Sequence, residues 1–167
     1  VRTSFNQMSH TKPELYSAWP WCGEHDIYEY NGRDEVLLCT LLSAAKDRPP
    51  QLTKDDSAQR YDQTPFRLPA GVHWRDAFHV IRYEWLVGMI RWLVDGIEIK
   101  RETPSTYAYT WPFDRVPAFI VLSNTLGRQA GAPDATTPFP QITLIDYVRV
   151  YRQTASEPVP VPAPVPS

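Results

Sequence analysis

Cysteine is scarce in this chain: 167 residues carry two, Cys22 and Cys39, which excludes a disulfide-built scaffold and leaves room for one bridge at most. Both fall on what reads as the two strands of one hairpin about the Asn31-Gly32 turn. Pairing there sets Cys22 opposite a residue well beyond Cys39, so free, half-buried thiols are expected rather than a disulfide. An excess of one charge is also missing. The 17 basic and 19 acidic residues leave a net charge of −2, which excludes attraction to a nucleic-acid backbone or an anionic membrane. No apolar run approaches the length of a membrane span, and the first residues lack the basic and apolar regions of an export signal. No long segment keeps a helical period. His10, His73 and His79 stand at no metal-ligand spacing from a cysteine, so no zinc site is expected.

Aromatic residues, by contrast, are plentiful. Six Trp and nine Tyr exceed what a core of this size needs, and their faces suit the C–H faces of sugar rings. The length predicts one domain with tails. The boundaries read as an irregular segment over 1–15, a folded domain over 16–153 and a Pro-rich stretch over 154–167. That last stretch, Glu157 to Ser167, alternates proline with small residues. It cannot donate to a sheet and reads as a stiff linker to a further module, or as a disordered tail. The first 20 or so residues and the segment from Lys46 to Pro65 have loop composition, with no expected share in the core. Strands are predicted over Cys22–Tyr30, Val36–Leu42, Phe78–Trp85, Met89–Val94, Ile97–Lys100, Phe119–Leu122 and Ile142–Tyr151. The Asp95-Gly96 dipeptide marks a type I′ hairpin. The fold class is therefore all-β, an antiparallel sandwich.

Three carboxylates, Glu24, Asp26 and Glu29, crowd one predicted strand. Glu24 and Asp26 share a face by the two-residue period, while Glu29 faces away unless one extra residue reverses the parity. A β-bulge between Asp26 and Glu29 would supply that residue, and bulges collect at active sites. Crowded carboxylates repel, which keeps one protonated near neutrality, the division that glycoside hydrolysis needs. A solvated acidic strand edge remains open as the alternative on spacing alone.

From Trp19 through Tyr30 the chain reads Trp-Pro-Trp-Cys-Gly-Glu-His-Asp-Ile-Tyr-Glu-Tyr, which resembles the active-site strand of glycoside hydrolase family 16, laminarinases among them. The likeness continues in family order through Phe66-Arg67-Leu68-Pro69, Phe78-His79-Val80, Glu84-Trp85, Ile90 to Gly96, Trp111-Pro112-Phe113, Phe139-Pro140-Gln141 and Ile145 to Tyr151. It implies a jelly roll of the concanavalin A-like lectin and glucanase type with a glycan cleft. It also implies a secreted, retaining, endo-acting hydrolase of β-glucan, mainly β-1,3-linked. Glu24 matches the nucleophile, Glu29 the general acid/base and Asp26 the carboxylate between them. Trp19 matches an aromatic platform, with Trp111 and Gln141 as further substrate contacts. The bulged spacing is that of the laminarinase side of the family. This chemistry requires no cofactor. Asp146 resembles a position that helps to hold a structural calcium, although one carboxylate cannot make such a site. His25 alternates to the far face and is expected to pack, as are Trp85 and Trp92.

The chain departs from the family in three places. Only 23 residues precede Glu24, where the family has several strands, which leads to the expectation of a fragment, a reduced variant or one part of an assembly. Val36-Leu37-Leu38-Cys39-Thr40 stands where the family carries a His-Gly-Thr-like run. Leu126-Gly127-Arg128-Gln129 replaces a Gly-Gly-Asn-Trp-like segment. A non-catalytic, glycan-binding or surface-structural relative is thus the alternative to an enzyme.

Overall fold

The structure, a computed structural model, describes residues 2–8, 18–31, 35–51, 53–125, 127 and 131–154. Among them run the strands β1 (Arg2–Met8), β2 (Glu24–Asn31), β3 (Val36–Ala44), β4 (Gln59–Phe66), β5 (Ile81–Leu86), β6 (Met89–Val94), β7 (Ile97–Glu102) and β8 (Phe119–Thr125). All pairings are antiparallel. They build two sheets, one in the order β4-β3-β2-β1-β8 and one in the order β5-β6-β7. The all-β architecture expected from the sequence is the one observed, and the described residues form no α-helix.

The core lies between the sheets, as the period-two pattern requires. Leu37, Cys39 and Leu41 of β3 point to it, as do Ile90, Trp92 and Val94 of β6. β3 is the most apolar strand because β2 and β4 flank it and the second sheet covers one face. Trp92 is fully buried, and Trp85 packs against the same cluster while donating its indole N–H to the carbonyl of Phe113 at 2.8 Å. The β6–β7 turn has positive φ at both Asp95 (51°) and Gly96 (86°), the type I′ geometry that matches strand twist. Across the sheets, buried Lys100 of β7 bonds the Asp62 carboxylate of β4 at 2.6 Å and its carbonyl at 2.8 Å.

Several expectations are corrected. The region read as irregular includes β1, which is the strand between β2 and β8. The region read as loop up to Pro65 contains most of β4, whose alternating exposure is that of an edge strand. Its Pro65 is tolerated because an edge strand leaves one row of backbone groups unpaired. Ala58, in the same region, is fully buried against Trp21 and Ala44. Conversely, Ile142–Tyr151 forms no strand: its residues alternate apolar and polar, but no neighbouring strand pairs with them and all are exposed. Both cysteines are thiols rather than disulfide partners, as expected, but fully buried rather than half-buried. Burial pushes the Cys39 thiol up to about 12, against a smaller opposing pull from the Lys100 ammonium. The likeness at Leu126, Arg128 and Gln129 and the Pro-rich tail lie outside the described residues.

Candidate active site

The register of the central strands decides where the three carboxylates point. Glu24 stands opposite Leu42, Asp26 opposite Thr40 and Glu29 opposite Leu38. Two residues of β2, Ile27 and Tyr28, therefore face the single residue Cys39, with the register shift between Asp26 and Glu29. Leu38, Thr40 and Leu42 are two apart and share one face of β3. Their partners share it too, so the bulge brings Glu24, Asp26 and Glu29 onto the face away from the core. Asp26 and Glu29 are each 5% exposed, while Glu24 is more open.

The segment before β2 aims the first carboxylate. Trp19 donates its indole N–H to Glu24 Oε2 at 2.8 Å. Trp19 is itself held by its loop: Asp55 N donates to the Trp19 carbonyl at 3.2 Å, and Ala18 N donates to that of Gln51 at 2.8 Å. The neighbouring Trp21 donates to the carbonyl of Arg48 at 3.2 Å. Lys54 places its ammonium over the Trp19 ring, 5.2 Å from the centroid. Gly23, with φ of 79°, joins this loop to β2. A Cβ there would meet Phe113 Cε1 at 2.7 Å and Pro112 Cγ at 2.8 Å, so glycine alone lets the Pro112-Phe113 segment close against the start of the carboxylate strand.

Behind the carboxylates, His25 is 1% exposed and points into the core, as its parity requires. Its ring lies 4.8 Å from the rings of both Trp85 and Phe113. Its Nδ1 is hydrogen-bonded to the hydroxyl of Tyr83 on β5, a polar contact that pins one sheet to the other directly beneath Glu24 and Asp26. Burial lowers the His25 pKa to about 3, so the ring is neutral at ordinary pH. Burial, and secondarily the charge of Asp26, raises Tyr83 well above the usual phenol range. On the carboxylate face, Gln63 of β4 donates to Thr40 Oγ1 at 3.1 Å, fixing the side chain opposite Asp26.

The structure thus brings together Glu24, Asp26, Glu29 and Trp19. It does not bring the other candidates to them. Trp111 packs in an aromatic cluster, with ring centroids 5.9 Å from Tyr107 and 5.0 Å from Phe113. Gln141 is exposed and bonds the carbonyl of Pro138 in its own segment. Asp146 is exposed as well, and among the described residues no group of three or more His, Cys, Asp or Glu is placed to hold a metal ion. A calcium ion there would need six or more oxygens, backbone carbonyls and waters among them. Sequence reasoning missed Tyr83 and Gln63. A tyrosine in an apolar strand carries no signal of its polar partner, and Gln63 lay in a segment whose polarity read as loop.

No family model matches the chain. It is 31% identical to a beta-glucanase of Rhodothermus marinus, over 80% of this chain and 46% of that protein. It is 27% identical to a keratan-sulfate endo-1,4-beta-galactosidase of Sphingobacterium multivorum, over 91% of this chain and 36% of that protein. Among solved structures, the laminarinase catalytic domain of Thermotoga maritima superposes with a TM-score of 0.66 at 26% identity, covering 83% of this chain and 52% of that one. The chain thus spans about half the length, or less, of the proteins it matches.

Proposed function

Because the chain carries the jelly-roll sheet fold of the family 16 laminarinases and resembles the beta-glucanases of that group, we propose that it is a retaining, endo-acting glycoside hydrolase of β-glucan, with β-1,3-linked chains as substrate. The observation that carries this is the bulge that sets Glu24, Asp26 and Glu29 on one face, away from the core, with a hydrogen-bond donor fixed on Glu24. In the first step a Glu24 oxygen attacks the anomeric carbon as the glycosidic C–O bond breaks. Glu29, protonated, gives its proton to the departing oxygen. The product is a glycosyl ester on Glu24 and a shortened glucan. In the second step water attacks the same carbon, Glu29 takes back a proton, and Glu24 leaves as carboxylate. Two inversions give net retention. Asp26, between the two, adds a negative charge beside the acid/base Glu29, which disfavours ionisation of its carboxyl. Trp19 positions Glu24 through its N–H. Export from the cell and attachment to a further module through the Pro-rich segment complete the proposal, since a glucan polymer must be met outside the cell.

The test is reducing-sugar release from laminarin, mixed-linkage glucan, agar, carrageenan and keratan sulfate. Release from laminarin that is lost in both Glu24→Gln and Glu29→Gln, with the fold retained, supports the proposal. Undiminished release by either variant contradicts it. Binding without turnover by the unaltered chain would favour a glycan-binding relative instead.

A further inference from the structure

One row of residues crosses the five-stranded sheet at the level of Glu24. Tyr61 of β4 pairs with Leu42 of β3, Leu42 with Glu24 of β2, Glu24 with Met8 of β1, and Met8 with Phe119 of β8. No register shift interrupts it, and directly paired residues in antiparallel strands share a face. The two ends of the row are aromatic, lie on the edge strands and are open to solvent: Tyr61 is 60% exposed and Phe119 44%. Strands lie about 4.8 Å apart, so each aromatic stands roughly 10 Å from Glu24, on opposite sides of it. That step is close to the advance of one sugar ring per strand. The two stand symmetrically about Glu24 in the row. We propose that Tyr61 and Phe119 are stacking platforms for the sugars two rings to either side of the bond cleaved. Each platform then stands about two sugar rings from Glu24, and short oligosaccharides bound at Glu24 reach neither.

This rests on the hydrolase proposal for the position of the cleaved bond, but not for binding. The test therefore measures both in the full 167-residue chain. Binding of β-1,3-gluco-oligosaccharides of two to six units is titrated by calorimetry in Glu24→Gln, alone and with Tyr61→Ala, Tyr61→Phe or Phe119→Ala. Each alanine variant is expected to weaken hexasaccharide binding roughly three- to tenfold, the value of one aromatic contact, and to leave disaccharide binding unchanged. Tyr61→Phe should bind within about twofold of its parent. With Glu24 intact, the alanine variants should shift cleavage of the hexasaccharide toward other bonds. Equal loss on short and long chains, or no loss on either, overturns the proposal. So does a complete failure of every oligosaccharide to bind. Length-dependent binding without any hydrolysis in the unaltered chain keeps the platforms and discards the hydrolase.

Discussion

Trp19 and His25 flank Glu24 from opposite sides of the sheet, and each makes a distinct demand on it. The indole N–H of Trp19 reaches Glu24 at 2.8 Å, and a hydrogen bond to a charged group contributes about 1.5 to 3 kcal/mol. Trp19→Phe keeps the ring and removes the donor. It should lower kcat/KM on laminarin about 10- to 100-fold with little change in melting temperature, and an unaltered kcat/KM would show that the bond does not serve the reaction. His25 acts on stability. Its folded pKa of about 3 lies below the unfolded value of 6.5, so the unfolded chain takes up the proton first. The contribution is therefore complete above about pH 6.5 and is lost as the pH falls toward 3, on the order of 5 kcal/mol over the full range. Urea denaturation between pH 7 and 4 should show this decline, and His25→Leu should flatten it. Parallel pH curves for the two proteins would rule out His25 as the cause.

At the scale of elements, the bulge of β2 was legible in the sequence because it follows from parity: two residues between carboxylates on one face require one extra. β3 and the β6–β7 hairpin were legible for similar reasons, an unbroken apolar run and an Asp-Gly turn. β1 and β4 were not. Their residues are largely polar, and membership of the sheet comes from pairing with apolar neighbours rather than from their own pattern. Ile142–Tyr151 erred in the other direction, since alternation makes a strand only where a partner accepts its backbone bonds. Trp111 was drawn to the site by its motif, yet the aromatic cluster of Tyr107 and Phe113 holds it. Deletion tests the bulge itself. Removing Tyr28 leaves Ile27 in the core and returns Glu29 to the carboxylate face on a regular strand, so partial activity should survive. Removing Ile27 and Tyr28 together turns Glu29 toward the core and should abolish both activity and cooperative melting. Equal activity of the two deletions would contradict the register.

For the whole molecule, the distribution of apolar surface is uneven. Ile120 and Leu122, on the face of β8 opposite Phe119, are 39% and 47% exposed, and Ile142, Leu144, Val150 and Tyr151 are each at least 70% exposed. A patch of this kind marks a surface that seeks burial. The 167-residue chain should accordingly bind anilinonaphthalene sulfonate and self-associate with concentration in sedimentation velocity, and Leu144→Lys with Val150→Lys should weaken both. A dye-silent monomer at all concentrations would show that the patch is covered in solution. The catalytic proposal makes its sharpest demand on one atom set, the carboxylate of Glu24. Incubation with an activated 2-fluoro β-1,3-gluco-oligosaccharide, whose ester turns over slowly, should add one glycosyl mass to the intact chain. Peptide mass spectrometry should place it on Glu24, and Glu24→Gln should remain unlabelled. An adduct on Asp26 or Glu29, or turnover of laminarin with no adduct at all, would contradict Glu24 as the nucleophile of a retaining hydrolase.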